Sequence, residues 1–228
     1  MTLIIGILFT IVFYGIFADS IKKHAGAFYI GVYVWTGLVI FYFNMGYDRL
    51  LPAWFNKYFM NIFSRGIFAT ATFMIVMFLG TITKHNSLSK KLMKARGEIS
   101  IISSLLVISH NIIFSVHYFP VLFTNPGSMD KKTLIATIIT ILLLLMLIPL
   151  FVTSFQCVRK RMKPTNWKKL QKLAYPFFIG IYIHIMILYS QDWKAHLSGI
   201  IIYTIIYTSY VVLRLRKQKN KRLKTSVK

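Results

Sequence analysis

The stretch ISIISSLLVISHNIIFSVHYF, residues 99–119, is apolar apart from small hydroxyls, one Asn and two His. It is long enough to cross a bilayer as a helix, since about 20 apolar residues are needed. It contains no Lys, Arg, Asp or Glu, but His110 lies near its middle. A second apolar run, residues 173–190, carries His184 at almost the same depth. An ionisable residue at membrane depth is costly and indicates a functional site, so the two histidines are the starting point for function.

The composition indicates an integral membrane protein. Of the 228 residues, 56% are hydrophobic and 14% are charged, and the apolar residues form runs of membrane-spanning length. The net charge of +23 does not indicate a nucleic-acid partner, because the basic residues fall between and after the apolar runs. Cys157 is the single cysteine, which excludes an intramolecular disulfide.

The apolar runs predict an all-α integral membrane protein with a bundle of about seven transmembrane helices. The runs are continuously apolar rather than alternating, which favours helices over a barrel. The predicted spans are residues 2–18, 26–43, 66–83, 99–119, 133–155, 173–190 and 197–213.

The basic residues alternate between the two sides of this predicted bundle. The regions on one side hold 22 of the 28 Lys and Arg residues. The positive-inside rule therefore predicts that the N-terminus lies outside and the C-terminus in the cytoplasm. The Lys-rich loops suggest a plasma-membrane protein. Nothing basic precedes the apolar residues 3–17, which indicates an uncleaved first span. The basic tail, residues 214–228, is expected to anchor against anionic lipid, with binding to a soluble partner as the alternative.

The two histidines have the chemistry of a haem site. Each lies about 12 residues, or roughly 18 Å, into a span that starts on the same side. Two neutral imidazoles facing each other from adjacent helices are the ligand set of a six-coordinate b-type haem. Gly180 is four residues before His184 and would leave room for a flat macrocycle. His117, two turns after His110, is the alternative ligand.

Other interpretations of the histidines remain open at this point. A transmembrane histidine also hydrogen-bonds a neighbouring helix or lines a proton path. The protein would then be a small transporter or channel with a proton or substrate path, or a membrane scaffold without a cofactor. No Ser-His-Asp or paired-carboxylate set is present in the spans, and we expect His24, His85 and His196 in loops.

Two stretches carry a resemblance to a known family. One is Arg96-Gly97-Glu98 followed by the helix with His110, and the other is residues 153–189 with His184. The second begins with Thr153-Ser154 and continues through a basic loop to Trp167, Leu170, Leu173 and Tyr175. The sequence thus resembles the ferric reductase-like transmembrane superfamily, and within it the haem-binding membrane subunits of bacterial periplasmic protein-methionine-sulfoxide reductase systems. The resemblance covers a ferric reductase-like helical core, residues 66–213, after an N-terminal region 1–65 that holds the first transmembrane helices and an outer loop.

The sequence departs from the family pattern at one position. The family has a histidine 13 residues before the one that matches His184, and here that residue is Gln171. An amide is a poor iron ligand, so the resemblance implies one haem b with its iron between His110 and His184. Arg96 is then a cation for the haem propionates or for a docking donor.

What the resemblance implies is transmembrane electron transfer. The donor would be a cytoplasmic flavin reductase or a membrane quinol, and the acceptor an extracytoplasmic reductase, a flavoprotein or ferric iron. No nucleotide fingerprint is present, so a flavin or quinone would come from a partner. The protein would then be an oxidoreductase component.

Overall fold

The computed structural model describes residues 2–83 and 86–226. Over these residues the chain is helical, with short turns and no β-strand, which confirms the all-α fold. His85 lies outside the described residues. The helices are α1 (Thr2–Lys23), α2 (Ala25–Asn44), α3 (Ala53–Ser64), α4 (Ile67–Leu79), α5 (Ser87–Lys94), α6 (Arg96–Thr124), α7 (Lys131–Val152), α8 (Gln156–Arg161), α9 (Pro164–Leu170), α10 (Ala174–Tyr189) and α11 (Trp193–Ser226).

Several of these helices are long and apolar enough to cross a membrane. Within the described residues there are five such stretches, or six when the bent pair α3 and α4 counts as one span. The last stretch, Pro164–Leu223, contains the sixth and seventh predicted spans. This stretch folds back on itself at Ser190–Asp192. Its two halves pack together, as shown by Phe178 of α10, which stacks on Tyr207 of α11 with ring centroids 4.4 Å apart. The multi-pass helical fold is confirmed, and the count of seven stays a prediction.

The outer surface of the bundle is apolar. Ile16, Leu145 and Ile205 are each at least 60% exposed, and similar side chains continue along the same helices. Exposure of such a large apolar surface to water is unfavourable, whereas the acyl chains of a bilayer cover it favourably. A bilayer is therefore the medium in which this fold is stable.

Helix α4 lies in the middle of the packed interior. Phe68 of α4 stacks near Tyr14 of α1, with ring centroids 6.3 Å apart. Phe73 of α4 packs edge-on against Phe177 of α10 at 5.1 Å. Ser103 of α6 donates its hydroxyl to a backbone carbonyl of α4 at 3.0 Å. Helix α4 thus contacts α1, α6 and α10.

A helix break at Gly66 separates α3 from α4. Gly66 has φ +68°, a left-handed conformation that glycine adopts without steric cost, and the two helices meet at 48°. The sequence predicted a continuous span over residues 66–83 and an interfacial segment within residues 44–65. The structure begins α4 at Ile67, ends it at Leu79, and forms helix α3 within the predicted interfacial segment. The left-handed glycine lets the two helices meet at an angle.

Helix α11 continues beyond the predicted end of the last span. It runs to Ser226 without a break, so residue 214, where the predicted tail begins, lies inside it. At the same end of the bundle, Lys22 of α1 forms an ion pair with the buried Glu98 of α6 at 2.5 Å. We refer to the end that carries Lys22, Arg96 and Arg214 as the basic end.

Candidate functional site

The structure brings together the two histidines that the sequence selected. His110 on α6 and His184 on α10 are both half-buried. Their ring centroids are 6.5 Å apart and their planes are nearly perpendicular, at 84°. The matched depth of the two residues on their helices accounts for this approach.

A backbone carbonyl fixes the orientation of the His110 ring. Its Nδ1 lies 2.9 Å from the carbonyl oxygen of Ser64, the last residue of α3. A carbonyl only accepts hydrogen bonds, so Nδ1–H is the donor and Nε2 carries the free lone pair. The carbonyl lies at a helix end, next to the break at Gly66, where carbonyls remain available to side chains.

His184 is held in the same way by α7. Its Nδ1 lies 3.2 Å from the carbonyl oxygen of Ala136, and the hydroxyl oxygen of Thr140 is 3.4 Å away. Thr140 donates its own proton to the Ala136 carbonyl, so that hydroxyl oxygen is an acceptor for the imidazole. Both histidines therefore carry the proton on Nδ1. A histidine that ligates a metal through one nitrogen typically donates its other N–H in this manner.

Both histidines line a cavity of about 850 Å³. The cavity reaches the end of the bundle opposite the basic end, which we call the cavity end. Exposed Lys57 and Arg65 line it there. Its wall is mostly apolar near the histidines, where it includes Phe73, Val107, Phe114, Leu144, Leu147, Phe177 and Ile181.

Two glycines near the histidines have different neighbours. A Cβ at Gly66 would lie 3.2 Å from Cγ of His110, so this glycine makes room for the imidazole. A Cβ at Gly180 would lie 2.8 Å from Cδ2 of Leu143, so this glycine permits α10 to approach α7. The sequence singled out Gly180, and the structure places Gly66 against the ring.

The other site residues named from the sequence lie away from the cavity. Arg96 is 14 residues before His110, about 21 Å along the helix, and its Nε donates to the carbonyl of Val76 at 3.0 Å. His117 is exposed on α6. The side-chain amide of Gln171 donates to the Thr153 hydroxyl at 3.1 Å at the basic end.

His196 corrects an expectation from the sequence. It was placed in a loop, but it lies in the first turn of α11 and lines the cavity. Its ring stacks on Tyr189 with centroids 4.5 Å apart and planes within 10°. The polar residues Gln191 and Asp192 favoured a loop at this point of the sequence. In the structure, helix α11 begins directly after them at Trp193. His24 lies, as expected, at the junction between α1 and α2.

The residues present fit a haem iron better than a small metal cluster. Metal–imidazole bonds of about 2 Å, with ring nitrogens about 1 Å from their centroids, place two coordinating rings about 6 Å apart. The observed 6.5 Å is close to this separation. In the described part of the chain, no group of three or more His, Cys, Asp or Glu side chains is placed to hold a metal. A haem requires only two ligands from the protein.

The family comparison agrees with the fold. Residues 65–182 match the family of the ferric reductase like transmembrane component. Because the match covers more than half of the chain, the protein belongs to this family. Membership indicates a role in membrane electron transfer. The matched region includes His110 and ends two residues before His184.

One similar protein is an uncharacterized protein of Treponema pallidum (strain Nichols). It is 30% identical over 216 residues, which cover 89% of this chain and 57% of the relative. The chain thus spans little more than half the length of that relative. No solved structure matches the chain. The resemblance to methionine-sulfoxide reductase subunits stays a prediction.

Proposed function

We propose that His110 and His184 hold one haem b and that the protein relays electrons across the membrane. The observation that carries this proposal is the shared geometry of the two rings. Each donates its Nδ1–H to a backbone carbonyl and keeps the Nε2 lone pair, and the ring centroids are 6.5 Å apart. Membership in the ferric reductase-like family supports the electron-transfer part.

The chain positions the two imidazoles and surrounds them with a partly apolar wall. The carbonyls of Ser64 and Ala136 hold each imidazole in one tautomer and raise its basicity as a ligand. Apolar side chains such as Phe73, Phe177 and Ile181 line the cavity and would contact the faces of a macrocycle. Haem b, when bound, supplies a one-electron relay, and two imidazole ligands leave no open iron position for oxygen. Lys57 and Arg65 line the cavity and are the cations available to the propionates, whereas Arg96 lies at the other end of its helix.

The direction of transfer follows from the proposed orientation in the plasma membrane. The basic end would face the cytoplasm, and the N-terminus the outside, because basic residues are retained inside. A cytoplasmic flavin reductase or a quinol would deliver electrons from that side. The acceptor, an extracytoplasmic reductase or flavoprotein, would dock at the cavity end near Lys57 and Arg65.

Absorption spectroscopy tests the haem proposal. The protein would be expressed with haem supplied, purified in mild detergent and measured before and after dithionite. We expect a Soret band that shifts on reduction, about one haem per chain, and loss of the low-spin signal in His110→Ala and in His184→Ala. His117→Ala, on the exposed face of α6, is the control and should keep the spectrum. A colourless wild-type protein despite ample haem would refute the proposal, and two haems per chain would refute the single site.

The natural cysteine tests the orientation. Cys157 in α8 is exposed at the basic end. A membrane-impermeant maleimide should leave it unlabelled in intact cells and label it after permeabilisation, with Cys157→Ser as the blank. Equal labelling in intact cells would reverse the proposed orientation.

A transporter or channel is the alternative function. The polar residues Asn61, Asn111 and Thr137 line the same cavity, and such a lining suits a proton or substrate path. Haem-free protein that carries proton flux in liposomes, with flux lost in His110→Ala, would favour this alternative.

A further inference from the structure

Three cations converge on the C-terminal end of α4 at the basic end. Nζ of Lys217 donates to the carbonyls of Gly80 and Ile82 at 2.9 and 3.1 Å. Nη1 of Arg214 donates to the same Gly80 carbonyl at 3.3 Å. Arg96 approaches from α6, and a Cβ on Gly80 would lie 3.4 Å from its Nη2. We call Arg96, Arg214 and Lys217 the basic cluster.

Uncharged groups hold the cluster in place. Nε of Arg96 donates to the Val76 carbonyl. The Arg214 guanidinium lies over the ring of Tyr175, 4.8 Å from its centroid, and also donates to the tyrosine hydroxyl. These contacts orient the two guanidinium groups at the surface of α4 and leave their charges uncompensated.

Within the described part of the chain, no carboxylate pairs with the cluster. The two acidic residues at this end are engaged elsewhere, Glu98 with Lys22 and Asp19 with Lys91. In residues 2–83 and 86–226, none of the three cations forms an ion pair with a carboxylate. Their like charges repel one another, and the C-terminal dipole of one helix supplies only about half a negative charge.

The basic cluster also has N–H donors that are not used in hydrogen bonds. Nε of Arg214 is buried and has no hydrogen-bond partner among the described residues. A guanidinium carries five N–H donors in a fixed fork that matches phosphate oxygens. An anion with several acceptor oxygens would satisfy these donors and neutralise the excess charge.

We propose that the basic cluster binds a phosphate group, supplied by an anionic phospholipid of the adjacent leaflet. The same segment of α11 exposes Val212, Leu213 and Leu215, so acyl chains have an apolar surface beside the cations. Basic pockets between transmembrane helices bind anionic headgroups in this way. The site is separate from the histidine pair and does not depend on haem.

Lipid binding by native mass spectrometry tests this site on the full chain in mild detergent. The protein would be titrated with phosphatidylglycerol and, separately, with phosphatidylcholine. We expect one tightly bound phosphatidylglycerol and roughly tenfold or greater weakening in R214Q/K217Q, since each cation near the surface contributes appreciably. R216Q/K219Q removes the same two charges from exposed positions of the same helix and should stay within about twofold of the wild type.

The outcomes separate the sources of phosphate. Inorganic phosphate that displaces phosphatidylglycerol, and that binds less well to R214Q/K217Q, would support the phosphate site with a soluble ligand as its source. Equal weakening in both double variants, or equal affinity for phosphatidylcholine, would overturn the proposal. Should R214Q/K217Q fold poorly, Arg96→Lys keeps the charge but removes the fork, and it should still weaken phosphatidylglycerol several-fold. Unchanged binding in that variant would count against the site.

Discussion

Backbone carbonyls next to the two ends of α4 accept hydrogen bonds from different kinds of side chain. Beside its first turn, the Ser64 carbonyl accepts a hydrogen bond from the neutral ring of His110. Beyond its last turn, the carbonyls of Gly80 and Ile82 accept from cationic side chains. The Ser64 carbonyl lies at the end of α3, and the carbonyls of Gly80 and Ile82 follow the end of α4, where helical hydrogen-bond partners run out.

The difference lies in what each hydrogen bond leaves unsatisfied. At the cavity end, the bond uses the only N–H of the neutral imidazole and leaves the lone pair on Nε2. At the basic end, the bonds leave positive charge and spare donors. With only five acidic residues in 228, the chain has few carboxylates to offer, and helix-end carbonyls replace them. The cavity end therefore suits the haem ligation that we propose, and the basic end suits the proposed phosphate.

The break at Gly66 is the feature whose loss should have the largest effect. In Gly66→Ala, the new Cβ would meet the His110 ring at 3.2 Å, and φ +68° would be strained by roughly 1–2 kcal/mol. We expect haem affinity, measured by Soret titration of the apoprotein, to fall roughly tenfold or more, since a displaced ring loses the ligand geometry.

Gly46 provides the matched control for this variant. It has φ +73° but nothing within 4 Å of an added Cβ. Gly46→Ala therefore imposes the same backbone strain without touching the histidine. If both variants lose the same affinity, backbone strain explains the effect and the contact with His110 does not.

The ion pair at the basic end should have the next largest effect. The Glu98 side chain is only 8% exposed, and Lys22→Met would leave its charge with Gln156 as the remaining partner at 3.2 Å. We expect a loss of about 2 kcal/mol, discounted because Lys22 is 41% exposed. The midpoint temperature of thermal unfolding in detergent should fall by about 4–8 °C.

Two further variants test whether the burial of the Glu98 carboxylate determines the loss of stability. Glu98→Gln removes the buried charge and should cost less than Lys22→Met, because no uncompensated carboxylate remains. Lys91→Met breaks the exposed pair with Asp19 and should change stability by less than about 1 kcal/mol. A loss in Lys91→Met as large as that in Lys22→Met would show that burial of Glu98 is unimportant.

Much of the fold was predictable because the membrane imposes simple rules. Continuous apolar runs without charges mark helices, since every backbone group must be satisfied within the helix. The bend at Gly66 escaped prediction, because a single glycine at the start of an apolar run has no distinctive signal. The start of α11 at Trp193 was also not predicted. Gln191 and Asp192 are polar and favoured a longer loop, whereas in the structure they lie in a single short turn.

The histidine pair was predictable, and the groups that orient it were not. The depth of His110 and His184 can be counted along each helix, so their proximity follows from the sequence. The carbonyls of Ser64 and Ala136 carry no side-chain signal, and only the three-dimensional arrangement brings them to the rings. Arg96 was recognised as a cation, but its neighbours on α11 lie more than 100 residues away in the sequence.

A further prediction concerns the contact between α10 and α7. In Gly180→Ala, the Cβ would come within 2.8 Å of Leu143, and overpacking of this kind costs about 1–2 kcal/mol. We expect the midpoint of thermal unfolding to fall by about 2–8 °C with an unchanged haem spectrum. Adding Leu143→Ala should recover part of the loss. A spectral change without a loss of stability would instead support the sequence-based role of Gly180 beside the macrocycle.

The smallest expected effect concerns the exposed cations of the cavity end. Lys57 and Arg65 line the cavity but are accessible to solvent, so salt screens them. For K57Q/R65Q we expect a few-fold slower reoxidation of the reduced protein by ferricyanide, because steering of an anion acts on the encounter rate. The difference should vanish at high ionic strength. Lys194→Gln together with Lys131→Gln removes the same charge from the same end, outside the cavity lining, and should change the rate less. Equal slowing in both variants would assign the effect to the general positive field of this end and leave the cavity residues without a specific part in it.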